Sequence, residues 1–124
     1  MTGKRVLIVE DEGIPALELE NELNSMGCIV VGTVRSGERA VEAALEDRPD
    51  VVLMDIRLKG EIDGIEAARR IQEKSDIPIV YLTAYSDAPT MERASHTRLY
   101  WLLSKPYFFS DIKATIEEAS AGQA

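Results

Sequence analysis

Five side chains in this sequence have the types and spacing to do chemistry together. Glu10 and Asp11 close one apolar run, Val6 to Val9, and Asp55 closes another, Val51 to Met54. Thr83 and Lys105 follow two later runs in the same way. Carboxylates gathered in one place repel unless one is protonated or a cation joins them. With no histidine or thiolate beside them the donors are hard oxygens, and Mg2+ suits such a set best, with Mn2+ as its substitute. A carboxylate beside Mg2+, faced by a hydroxyl and an ammonium, is a site for phosphoryl transfer. The moving group carries spread negative charge, so the protein mainly positions and neutralises it. One aspartate oxygen can attack phosphorus while the metal and Lys105 hold the phosphoryl oxygens. Glu12 reads instead as a charge that complements the dipole of a first helix.

These residues meet only if the runs that carry them are neighbouring strands. The runs are VLIV at 6–9, CIVV at 28–31, VVLM at 51–54, IPIVYL at 77–82 and LYWLL at 99–103. They are rich in Val, Ile and Leu with little alternation, as in parallel strands buried on both faces. Helical stripes lie between them: Ala16, Leu19, Leu23 and Met26; Ala40, Val41, Ala44 and Leu45; Ile65, Ala68 and Ile71; Ile112, Ile116 and Ala119. The stretch from Asp87 to Thr97 is weaker, with Ala88, Met91 and Ala94 on its inner side. Ser36 and Ser110 read as N-caps, Gly27 as the stop of the first helix, and Pro49 as the close of the second. The pattern is βα repeated five times, an α/β fold with helices on both faces of a parallel sheet. In such a sheet ligands bind beyond the carboxyl ends of the strands, at the switch point of their order. An order of 2-1-3-4-5 makes the first and third strands neighbours, so Glu10, Asp11 and Asp55 converge.

Length and composition agree with one domain over residues 1–124, with an ordered core of about 4–119 and a frayed tail from Ser120 onward. The net charge of −8 argues against contact with nucleic-acid phosphates or an anionic membrane surface. The single cysteine, Cys28, makes no internal disulfide, and no apolar stretch reaches the ~20 residues of a membrane span. A soluble cytoplasmic protein is expected. Cys28, Met54 and Met91 read as packing residues, and His96 as a solvated residue at a helix end.

The ordered set Glu10-Asp11, Asp55, Thr83-Ala84 and Lys105-Pro106 resembles the receiver domain of two-component response regulators. DIRLKGEIDGIEAA at 55–68 strengthens the likeness, which covers essentially the whole chain. The resemblance implies a flavodoxin-like three-layer (βα)5 sandwich. It implies that Asp55 accepts a phosphoryl group from a sensor histidine kinase or phosphotransfer protein. Asp11 would bind Mg2+ directly and Glu10 through water, with Asp55 and the Arg57 carbonyl as further ligands. Thr83, the Ala84 amide and Lys105 would contact the phosphoryl oxygens. Lys105-Pro106 resembles the family's cis peptide. The output would be a downstream protein target, met by a monomer or weak dimer through the fourth helix, fifth strand and fifth helix, with residues 84–104 moving.

The sequence departs from the family in its last strand. Arg98-Leu99 stand where many receivers have Gly-Ala, and Leu102 stands where they have an aromatic. Tyr107 replaces a phenylalanine. Either the loop after Thr83 and the fourth helix move without an aromatic partner, or an aromatic of this strand takes over. Tyr100 shares a strand face with Leu102 and is the better substitute, while Trp101 on the opposite face reads as core against the fifth helix. Two other readings compete. A dehalogenase-like phosphatase also uses a nucleophilic aspartate, but wants a second acid two residues later, where this chain has Arg57. A scaffold that has lost the chemistry would not need all five residues.

Overall fold

The computed structural model describes residues 3–84 and 87–121. Five strands, β1 (Arg5–Val9), β2 (Ile29–Val34), β3 (Val51–Asp55), β4 (Ile79–Thr83) and β5 (Tyr100–Ser104), form one parallel sheet in the order β2-β1-β3-β4-β5. Five helices alternate with them: α1 (Gly13–Ser25), α2 (Gly37–Asp47), α3 (Gly64–Glu73), α4 (Ala88–Ala94) and α5 (Phe109–Ser120). This is the parallel α/β fold expected from the strand–helix alternation, and the flavodoxin-like sandwich that the resemblance implies.

Alternation along the strands sorts the apolar residues into two layers. Val6, Ile8, Val51, Leu53, Val80 and Leu82 pack with Leu19 and Leu23 of α1 and Ile112 and Ile116 of α5. Leu7, Val9, Val52, Met54, Ile79 and Tyr81 pack on the other face, with α2, α3 and Ala94 of α4. The stripes read from sequence are the buried ones in α1, α3 and α5, apart from half-buried Met26 at the end of α1. Cys28 and Met54 are buried, and His96 is exposed beside Glu92. No helix among the described residues is long and apolar enough to cross a membrane.

Several local expectations change. The strand order puts β2 and β5 at the edges, so their residues are half-buried or exposed rather than covered on both faces. Hydropathy could not separate these two runs from the central ones, because burial on the second face depends on strand order. β2 begins one residue later than its apolar run and continues through Gly32, Thr33 and Val34, where pairing with β1 outweighs composition. α4 is shorter than its weak stripe suggests. It ends at Ala94, and Ala88 is exposed.

Ser36 caps α2, its side chain accepting from the Arg39 amide at 3.2 Å. Ser110 does not cap α5. That helix starts two residues earlier, and the Asp111 carboxylate accepts from the Phe108 amide at 3.3 Å instead. Gly27 follows α1 with φ +89°, a conformation that favours glycine. The expected frayed tail is also corrected at its start. Ser120 is the last residue of α5, is buried, and donates its hydroxyl to the Ile116 carbonyl at 2.7 Å. Gly122 to Ala124 lie outside the described residues, as do Tyr85 and Ser86 of the segment expected to move.

Candidate acidic site at the carboxyl end of the sheet

The alternation that sorts the core also aims the site. Glu10 continues the row of Val6 and Ile8, Asp55 the row of Val51 and Leu53, and Lys105 the row of Trp101 and Leu103. All three therefore leave the sheet toward the α1–α5 side. Since β1 and β3 are adjacent, the two carboxylates arrive together. Lys105 closes the group, its Nζ lying 3.2 Å from Asp55 Oδ2 and 3.4 Å from Glu10 Oε1. Its own amide donates to the Thr83 carbonyl at 2.7 Å, which fixes the start of the next loop to the end of β4. The Lys105-Pro106 peptide is cis.

Two backbone amides complete the carboxylates' surroundings. Glu12 N–H donates to Glu10 Oε2, and Arg57 N–H donates to Asp55 Oδ1, both at 3.2 Å. Glu10 and Asp55 are buried, Asp11 is half-exposed, and Arg57 is exposed. Burial holds the Glu10 carboxyl well above its usual range, and the Asp55 charge adds to this against the Glu12 amide and Lys105. Burial works against the Lys105 ammonium too, but Asp55 and Glu10 outweigh it and raise its pKa. The site thus holds more negative charge than one lysine compensates.

Glu10, Asp11 and Asp55 each offer an oxygen, and these atoms lie within 4.8 Å of one another. All donors are carboxylates, the set is half-buried, and proton affinity is raised within it. The residues therefore fit a hard divalent cation.

A close approach beneath the site explains the loop that follows. A Cβ on Gly64 would lie 2.1 Å from the Asp55 carbonyl oxygen, so only glycine lets α3 begin this close to the end of β3. The Gly64 amide donates to the Ile56 carbonyl at 2.8 Å.

Thr83 belongs to the other row, with Ile79 and Tyr81, and is buried at the end of β4 opposite Ser104. Ala84 follows it and is exposed. Leu102 packs against the cluster that includes Tyr81 and Ala94. Tyr100, on the same strand face, places its ring 6.1 Å from that of Tyr81. Trp101 packs against the opposite cluster with Ile112 and Ile116.

Sequence reasoning passed over a group just outside the acids. Asp63 caps α3, Arg93 of α4 pairs with it, and the Tyr81 hydroxyl meets Thr97 beyond α4. Asp63 had a visible signal, an aspartate three residues before Glu66 at the start of an apolar stripe. Arg93 and Thr97 had none, because their partners are 30 and 16 residues away.

Comparison with known proteins agrees with this geometry. A profile of the response regulator receiver domain matches residues 6–117. The transcriptional regulatory protein PdtaR of Mycobacterium tuberculosis H37Rv is 40% identical over 94% of this chain and 56% of its own length. The phyllosphere-induced regulator PhyR of Methylorubrum extorquens is 32% identical over 92% of this chain and 42% of its own. The chain thus spans about half the length of these relatives. Among solved structures, the signal receiver domain of a modulated diguanylate cyclase from Desulfovibrio desulfuricans G20 superposes with a TM-score of 0.91 at 36% identity, covering 98% of this chain and 96% of that one. The receiver domain of sensor histidine kinase PA1611 from Pseudomonas aeruginosa PAO1, solved with a magnesium ion in its active-site cleft, gives 0.86 at 29% identity, covering 97% and 99%. Sheet order, the matched profile and relatedness over more than nine-tenths of this chain together place it in the response regulator receiver domain family.

Proposed function

We propose that residues 1–124 act as one phosphoaccepting receiver domain. Asp55 is the acceptor and Lys105 its counter-charge. The observation that carries this reading is the Lys105 ammonium 3.2 Å from an Asp55 oxygen, with Glu10 and Asp11 grouped on the same crevice. An Asp55 oxygen forms the new bond to phosphorus as the bond from phosphorus to the donor's imidazole nitrogen breaks; with the other ring nitrogen already protonated, the ring leaves as neutral imidazole. The donor is a sensor histidine kinase or a phosphotransfer protein.

Glu10, Asp11, Asp55 and the Arg57 carbonyl would hold Mg2+ or Mn2+. When bound, the ion supplies positive charge for the phosphoryl oxygens, as hard cations do in phosphoryl transfer. The chain's own residues do the rest. Lys105 neutralises one phosphoryl oxygen, and the Thr83 hydroxyl and Ala84 amide take another. The Arg57 amide holds the attacking carboxylate in place through its bond to Oδ1. Drawing Thr83 toward the phosphoryl group changes the space under α4. Leu102 has no hydroxyl to bury or expose there, so Tyr100, already against Tyr81, carries the change to the α4–β5–α5 surface. The outcome is binding to a downstream protein rather than turnover of a substrate. We place this action in the cytoplasm, in a monomer or weak dimer.

The test is Asp55→Asn, since an amide is a poor nucleophile. Labelling by acetyl phosphate or a cognate kinase should vanish, and labelling at full strength would refute the assignment. Sustained turnover of an aryl phosphate by the unaltered chain would favour a phosphatase instead.

A further inference from the structure

Helix α4 has seven residues and buries one of them, Ala94, so apolar packing holds it poorly. Polar contacts from other elements make up the difference. Beyond its end, the Thr97 hydroxyl meets the buried hydroxyl of Tyr81 in β4. On its outer turn, Arg93 forks onto both oxygens of Asp63, Nη1 to Oδ2 at 2.7 Å and Nη2 to Oδ1 at 3.1 Å.

Asp63 is tied to the acidic site through the loop that precedes it. Its Oδ1 also accepts from the Glu66 amide at 2.9 Å and so caps α3. The Ile62 amide donates to Glu38 of α2 at 3.3 Å, fixing the other side of the loop. Ile56 accepts from Gly64, and Arg57 donates to Asp55 itself. Hydrogen bonds therefore tie Arg57 to the Asp55 carboxylate, Ile56 to Gly64, and Asp63, next to Gly64 in the chain, to the guanidinium of α4. Below the fork lies a cleft of about 300 Å³ lined by Ile56, Arg57, Leu58, Asp63, Thr90 and Arg93, so the fork bridges open space between loop and helix.

We propose that Asp63 and Arg93 form a latch by which the loop after Asp55 holds α4, giving the acidic site a route to that helix separate from Thr83. The inference rests on the reading of Asp55 as acceptor. A two-bond fork between a rigid guanidinium and a carboxylate is sensitive to small shifts of either partner. Occupation of the site acts on Asp55 and Arg57. Any resulting movement of the loop start shifts Asp63 and loosens the fork, which frees α4.

The experiment is amide hydrogen exchange on the full chain, with Mg2+ present, with and without beryllofluoride as a phosphoryl mimic. Asp63→Asn keeps a capping side chain and removes the charge, and Arg93→Gln removes the charge from the other side. Each variant without the mimic should exchange about three- to tenfold faster at residues 88–97. The double variant should be no faster than either, and Arg93→Lys should recover part of the protection. Beryllofluoride should then change 88–97 less in the variants than in the unaltered chain, while still changing 55–57. Variants that exchange like the unaltered chain, or that keep its full response at 88–97, overturn the latch alone. No response at 55–57 in the unaltered chain overturns the acceptor reading, and the latch's role with it.

Discussion

At the scale of single residues, the chemistry rests on an imbalance of charge. Glu10, Asp11 and Asp55 face one ammonium, and burial raises the proton affinity of Glu10. A cation entering the group relieves repulsion that folding has imposed. Mg2+ should therefore bind, weakly, without any phosphoryl group. Asp11→Ala takes away the most exposed of the three carboxylates and should lower that affinity at least about tenfold, comparable to losing a metal-supporting group elsewhere. Titration of the amide signals around Asp55 measures it directly. An unchanged titration in the variant would remove Asp11 from the ligand set.

Among the elements, α4 stands out because its anchors are polar. Burial works to raise the pKa of Asp63, but the bonds from Arg93 and from the Glu66 amide outweigh it, and the carboxyl ends below its ordinary value. A carboxyl depressed in the folded state adds stability above its unfolded pKa, about 3.9, and loses that contribution as pH falls through the folded value. Asp63→Asn should therefore lower the urea midpoint by a constant amount near neutral pH. The gap to the unaltered chain should narrow as pH falls below the unfolded value, about 3.9, because the unfolded chain's Asp63 takes up its proton first and the folded one only at lower pH. A gap as wide at about pH 2.5 as at pH 6 would show that the charge of Asp63 is not what matters.

Across the whole molecule, the two faces of the sheet differ in how firmly their helices are held. α1 and α5 pack long apolar side chains, Leu19, Leu23, Ile112 and Ile116, against the strands. α4 sits at one corner of the other face, over Tyr81 and Leu102, with a cleft beside it. Motion started at Asp55 should spread to the element with the least apolar burial. Beryllofluoride is expected to produce its large amide NMR shifts in α4, β5 and the start of α5, and small ones in α1 and α2. Large shifts confined to α1 and α2 would show that the signal leaves by another face.

Much of this was legible in the chain itself. Short unbroken apolar runs set parallel strands, and 3.6-residue stripes set the helices between them, because both follow from local backbone geometry and burial. The carboxyl ends of the runs marked Glu10, Asp55 and Lys105 as one group, and strand order with the alternation of side chains through Asp55 and past β1 and β5 brought them to one side. Other features depended on neighbours far away in sequence. Strand order made β2 and β5 half-exposed edges, which their own residues could not reveal. Pairing carried β2 on to Val34, and Asp111 rather than Ser110 completed the start of α5. The contact from Arg93 to Asp63, that from Tyr81 to Thr97 and that from Glu38 to Ile62 join segments 30, 16 and 24 residues apart. Side chains of ordinary surface type meet there only because the sheet and its crossovers bring them within hydrogen-bonding distance, and no local pattern encodes that meeting.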